Sequence, residues 1–212
     1  MHAIVAGGGD ALDDRWRSEL PADALVVAAD SGLGHVYALG LRPDVVVGDL
    51  DSVSPIDLAR AEREGTPIQR HPTDKDATDL ELALAVALDR GATTVTVIGA
   101  GGGRLDHELA GLALLAGPQW TPMRITAFVG AARMTIVHSD ATLDGPLGSI
   151  VTLLAVGGPA TGVGTEGLRW PLHDAELLPT STLGVSNELV SSPARVTVRT
   201  GVLFVIQPLG DF

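Results

Sequence analysis

As far as Gly130 the chain alternates short apolar runs with longer stretches of helical periodicity, and after that the alternation stops. The runs "AIVA" (Ala3–Ala6), "ALVVAA" (Ala24–Ala29), "VVV" (Val45–Val47), "TVTVI" (Thr94–Ile98) and "RITAFV" (Arg124–Val129) read as strands. Helix starts are legible between them, as at Ser54-Pro55 ahead of "IDLARAERE", where serine suits the cap and proline the first helical position. Strand, loop, helix, strand is the order of a parallel sheet, because a parallel pair needs a crossover long enough to hold a helix. From Ala131 onward "ARMTIVH", "SIVTLLAV", "ARVTVRT" and "VLFVIQP" are strand-like and separated by glycine and proline, with no long helical pattern between them. The expected fold is an α/β N-terminal domain over residues 1–130, with a mainly parallel sheet and flanking helices, and a small all-β, sandwich-like domain over 131–212. With 45% apolar and 19% charged residues in 212, the chain has the material for real cores.

In open α/β sheets ligands sit where strands hand over to helices at their carboxyl ends. The polar and glycine-rich stretches fall there: Gly7 to Asp10, Asp30-Ser31-Gly32, Gly48 to Ser52, Asp74 to Asp79, and Gly99 to His107. The familiar phosphate loops are excluded. A Walker loop needs Gly-Lys-Ser/Thr, and the one lysine, Lys75, precedes aspartate; G-x-G-x-x-G fails at Leu12 and at Arg104. What remains is "GAGGGR", with Gly102 and Gly103 ahead of Arg104, which reads either as a tight turn into a helix or as an anion nest of backbone N–H groups. Beyond it Asp106 and His107 are either first-turn helix residues or ligand contacts.

Two short segments, "GDLDSVSP" and "DKDATDLE", hold five aspartates and a glutamate with a single lysine among them. Asp49 and Asp51 stand two apart after a strand, so in an extended conformation both point to one side. Carboxylates held together repel unless a cation lies between them, and magnesium resolves this with few protein ligands, leaving other positions to water and phosphate. Asp74, Asp76 and Asp79 are candidates to add ligands from a neighbouring loop. Thr78 and Glu81 have the spacing of a helix capping box, which accounts for them but not for Asp49, Asp76 or Asp79.

A formal charge of -12 argues against a sequence-independent grip on nucleic acid or on an acidic membrane face. The absence of cysteine excludes disulfides and thiolate zinc sites. No apolar stretch approaches the roughly 20 residues of a membrane span, and the expected location is the cytoplasm.

Taken together, "AADSG", "LRPDVVVGDLDSVSP", "DKDATDLELAL", "GAGGGRLDHELAGLALL", "GTEGLRWPL" and "SNEL" resemble, in this order, the thiamine pyrophosphokinase family. The resemblance implies an α/β catalytic domain followed by a β-sandwich, a homodimer, and thiamine bound in a cleft between subunits. It implies transfer of the pyrophosphoryl group of ATP to the hydroxyl of thiamine, with release of AMP. By the same analogy Asp49, Asp51, Asp79 and Asp30 are catalytic carboxylates, and Asp49, Asp51, Asp76 and Asp79 hold magnesium. Lys75, Thr78, Gly102, Gly103, Arg104, Asp106 and His107 fall to the nucleotide, and Trp170, Ser186 and Asn187 to thiamine. Trp170 suits a flat cation, since an indole face attracts positive charge. The sequence departs from the family at Ser31, Leu50, Gly111 and Glu166, where glycine, phenylalanine, asparagine and threonine are common. A non-catalytic thiamine-binding relative, or the same transfer to a related heterocyclic alcohol, are the alternatives.

Overall fold

A computed structural model describes residues 1–209, and the chain divides into two compact units. The first comprises Met1–Leu114 and Pro122–Gly130; the second comprises Leu115–Thr121 and the chain from Ala131 onward. In the first unit β1 (His2–Ala6), β2 (Leu25–Ala29), β3 (Val45–Gly48), β4 (Ile68–Arg70), β5 (Thr94–Ile98) and β6 (Arg124–Val129) pair in parallel in the order β4-β3-β2-β1-β5-β6. The near-continuous apolar composition of β1, β2 and β3 follows from burial on both faces, and in β5 Thr96 is buried along with Val95, Val97 and Ile98. The connections carry α1 (Gly32–Ala38), α2 (Pro55–Arg63), α3 (Asp79–Asp89) and α4 (Leu105–Leu115). Pro55 takes the first position of α2 as expected, while Ser54 makes no capping hydrogen bond. Strand β4 has one apolar residue in three, which is why no pattern announces it.

In the second unit β7 (Ala132–Val137), β8 (Asp140–Leu143), β9 (Ile150–Glu166), β10 (Ala175–Leu177), β11 (Asn187–Glu188), β12 (Ala194–Thr197) and β13 (Thr200–Pro208) pair antiparallel. Strand β9 is the spine. Its first half pairs with β11 and β13, and its second half with β10 and β12. Glycine at 157 and 162, both at positive φ, lets one strand serve two sets of partners. Leu143, Val151, Leu153, Leu177, Leu189 and Leu203 form the core of this unit. The expectation of a mainly parallel sheet is corrected: strand pairing is mixed, parallel through β6 and antiparallel from β7. The helical crossovers that parallel pairing demands run out at α4, and the short links beyond it allow antiparallel neighbours.

Candidate active site

Two strands of the first unit end in turns of unusual backbone conformation. Asp30 follows β2 at φ 48°, its N–H donating to the Val47 carbonyl at 2.9 Å, and Leu50 follows β3 at φ 68°. Non-glycine residues hold such left-handed angles only where their surroundings fix them, often at functional turns. The Asp51 N–H donates to Asp49 Oδ1 at 3.2 Å, so this segment folds back on itself instead of running extended as the spacing predicts. Ligand oxygens of Asp30, Asp49 and Asp51 nevertheless all lie within 4.8 Å of one another. The turn, and not strand alternation, brings Asp49 and Asp51 together.

This trio fits a hard divalent cation. Its donors are all carboxylate oxygens, which suit magnesium-like ions. Asp30 is buried, and its Oδ1 has no hydrogen-bond partner. Burial pushes the Asp30 carboxyl up, against the pull of the Ser31 N–H, and Asp79 and Asp49 nearby push it the same way as burial. An acceptor left buried and unpaired beside like charges is the state a cation relieves.

Lys75 supplies the positive charge. Its Nζ lies 2.9 Å from Asp49 Oδ2 and 3.1 Å from Asp79 Oδ1. The second pair is close but poorly aligned, leaving Asp79 Oδ1 without a true hydrogen bond. The Lys75 hydrogen bond holds the Asp49 carboxyl below its usual range, and the same bond raises the Lys75 ammonium. Asp79 is the first residue of α3, and the Thr78 hydroxyl caps that helix by accepting from the Glu81 N–H at 3.3 Å. Gly48, at φ 144°, makes room for the group: a Cβ there would lie 3.0 Å from Asp79 Oδ1 and 3.3 Å from Asp30 Cβ. Asp74 and Asp76 are exposed and lie outside the trio.

The glycine loops after β1 and β5 meet where the strand order reverses, the usual ligand crevice of such sheets. They are zipped backbone to backbone: Gly7, Gly9 and Asp10 N–H groups donate to the Ile98, Gly99 and Gly101 carbonyls at 2.8, 2.9 and 2.7 Å. A Cβ at Gly7 would come within 2.7 Å of the Gly99 carbonyl oxygen, so glycine here serves close approach. His35 of α1 joins the assembly, its Nε2 2.7 Å from the Gly9 carbonyl. Nothing in the sequence marks His35, a lone histidine within a strand-helix repeat. Gly102 and Gly103, at φ 87° and 75°, lead into Arg104, which is exposed and grips Asp106 through Nη2 and Oδ2 at 2.6 Å. That pairing holds the Asp106 carboxyl down to about 2. His107 is exposed in the first turn of α4.

In the second unit Trp170 stands half exposed, with the Arg169 guanidinium 5.1 Å from its ring centroid. Asn187 is buried against the Trp170 backbone, and Ser186 beside it sits at φ 57°, its N–H donating to Thr152 Oγ1 at 3.0 Å. Glu166 lines an open cavity of about 400 Å³ together with His173, Asp174 and Arg195.

Comparison with known proteins matches residues 16–127 to the family described as "Thiamin pyrophosphokinase, catalytic domain" and residues 135–203 to "Thiamin pyrophosphokinase, vitamin B1 binding domain". A thiamine pyrophosphokinase of Bacillus subtilis is 26% identical over 207 residues, covering 96% of each chain. One from Oryza sativa is 24% identical over 211 residues, covering 86% of this chain and 78% of the relative. The crystal structure of thiamin pyrophosphokinase from Geobacillus thermodenitrificans superposes with a TM-score of 0.84 at 26% identity, over 100% of this chain and 99% of that one. Because the catalytic match alone spans more than half the sequence and takes in the aspartate loops, Lys75 and the Arg104 turn, this chain belongs to the thiamin pyrophosphokinase family.

Proposed function

We infer that the protein is an ATP-dependent thiamine pyrophosphokinase, giving thiamine diphosphate and AMP. The observation that carries this reading is the carboxylate trio of Asp30, Asp49 and Asp51 beside the Lys75–Asp79 pair, on a chain matched by both the catalytic and the vitamin B1 binding families. The hydroxyl oxygen of thiamine attacks the β-phosphorus of ATP. An O–P bond forms there, the bond from that phosphorus to the α-phosphate oxygen breaks, and AMP leaves with the electron pair. A carboxylate of the aspartate group takes the hydroxyl proton. Such a transfer depends mainly on positioning and charge neutralisation. Asp30, Asp49 and Asp51 would hold magnesium, with Asp76 and Asp79 alongside, and the ion would neutralise the polyphosphate and polarise the attacked phosphorus. Lys75 and Arg104 offset further charge, Thr78 fixes the start of α3, and Gly102, Gly103, Asp106 and His107 face the nucleotide. Residues 1–130 serve ATP and metal in this reading, and 131–212, a β-sandwich, serve thiamine, with Trp170 stacked on its rings and Ser186 nearby. The working form is a cytoplasmic homodimer. Among the described residues no helix is long and apolar enough to cross a membrane.

The test is a chromatographic assay of purified protein with thiamine, ATP and magnesium. Equal amounts of AMP and thiamine diphosphate, absent without magnesium, are expected. Asp49→Asn and Asp79→Asn should each lower kcat by about a hundredfold or more in folded protein, since each removes charge from the phosphoryl-transfer site. Folded protein that binds thiamine and forms neither product would overturn the activity.

A further inference from the structure

Trp170 combines an exposed side chain with a captive backbone. The residue is 53% exposed, whereas the other two tryptophans, Trp16 and Trp120, are 4% and 3% exposed. Both backbone polar groups of Trp170 are bonded to one side chain. Asn187 Oδ1 accepts from the Trp170 N–H at 3.0 Å, and Asn187 Nδ2 donates to the Trp170 carbonyl at 2.7 Å. The Glu188 N–H donates to the same Oδ1 at 2.9 Å. Two N–H donors on one side and a carbonyl on the other fix which way the amide faces. An amide oxygen has two acceptor sites, and both are used, so Asn187 has no acceptor left for a substrate. At 4% exposure the residue is also out of a ligand's reach.

The clamp is itself anchored. Asn187 belongs to β11 and is in register with Val151 of β9, the spine of the unit. Across the clamp the Arg169 N–H donates to the Glu188 carbonyl at 2.9 Å, and Arg169 Nη1 pairs with Glu188 Oε2 at 2.8 Å. The guanidinium thus held takes a place over the indole, leaving the ring's remaining surface to a ligand. We propose that Asn187 is a positioning residue, which locks the Trp170 peptide so that the indole is presented to the flat cationic substrate, and which acts on that substrate only through Trp170. The proposal rests on the reading of Trp170 as the stacking residue.

Enzyme labelled with 5-fluorotryptophan gives three fluorine resonances, and the one lost in Trp170→Ala belongs to Trp170. Asn187→Ala should move and broaden that resonance alone. It should raise the thiamine KM about tenfold, as expected for lost hydrogen bonds behind a binding group, with the ATP KM unchanged. In a Trp170→Ala background the same substitution should add less than about twofold, because residues acting through one contact are not additive. Asn187→Asp keeps the accepting oxygen and loses the donor to the Trp170 carbonyl; it should shift the same resonance, and it carries the test if Asn187→Ala does not fold. An unmoved Trp170 resonance, a shift of all three, or effects that multiply in the double variant would each overturn the proposal. If Trp170→Ala alone leaves the thiamine KM unchanged, the stacking reading falls and takes the kinetic half of the proposal with it, while the fluorine spectrum still decides whether Asn187 locks the peptide.

Discussion

Gly48 sits where β3 ends, and the space its missing side chain leaves is filled by the Asp79 carboxylate and the Asp30 Cβ. Gly48→Ala pushes on both carboxylates at once, and displacements near 1 Å cost about a hundredfold in well-positioned reactions. We expect kcat to fall by about that factor while circular dichroism stays native; an unchanged kcat would show that the aspartates tolerate the shift. His138 gives a separate handle. Its Nε2 is buried without a partner, and burial lowers its pKa. Between the folded value and the unfolded value of about 6.5, the unfolded chain binds the proton more readily, so stability is held above that range and lost as pH falls through it. Thermal midpoints of wild type should therefore drop between about pH 7.5 and 5.5 more steeply than those of His138→Phe, which lacks the titrating ring. At this scale Asp30 and Asp49 stand out in the sequence because they close apolar runs. That Asp30 rather than Asp76 joins Asp49 and Asp51 was not legible, because it depends on backbone angles at Asp30 and Leu50 that no residue pattern encodes. Nor does a pattern reveal that Asn187 spends its amide on Trp170.

Helix α3 shows how an element aims a functional group. Thr78 caps the helix and Asp79 opens it, so the cap that fixes the first turn also fixes a carboxylate that meets Lys75. Thr78→Ala should cost about 1 kcal/mol of stability, the usual value for a lost cap. It should also raise the ATP KM, a second effect that restoring stability with osmolyte would leave in place; denaturant melts and kinetics on one preparation separate the two. Helices and strands of the first unit were readable where period and burial agree, as in β1, β2, β3 and β5. Strand β9 was readable only in its first half, "SIVTLLAV", since the glycines and proline that follow read as a break although the strand runs on to Glu166. Tertiary pairing with β10 and β12 overrides the local preference there.

For the molecule as a whole, the net charge of -12 acts in opposite senses on the two substrates. An acidic protein attracts a cation such as thiamine and repels a magnesium-bound polyphosphate, and added salt screens both effects. Raising potassium chloride from about 50 to 250 mM should lower kcat/KM for thiamine and raise it for ATP, by about twofold or more each. Parallel changes for the two would mean that local charges at Lys75 and Arg104 outweigh the overall field. That the C-terminal region is β-rich was visible in where the helical pattern ends, yet the mixed sheet was not, because pairing direction depends on which connections remain to be made. Strand β1 lies between β2 and β5, with Ala3 in register with both Leu25 and Val95. On the ribosome β1 and β2 emerge early, but the second flank of β1 does not exist until residues 94–98 have been made, and long-range parallel pairing is slow to form. The aspartate loops therefore leave the exit tunnel before the frame that holds them is complete, and the half-made sheet offers a bare edge of β1 to any other chain nearby.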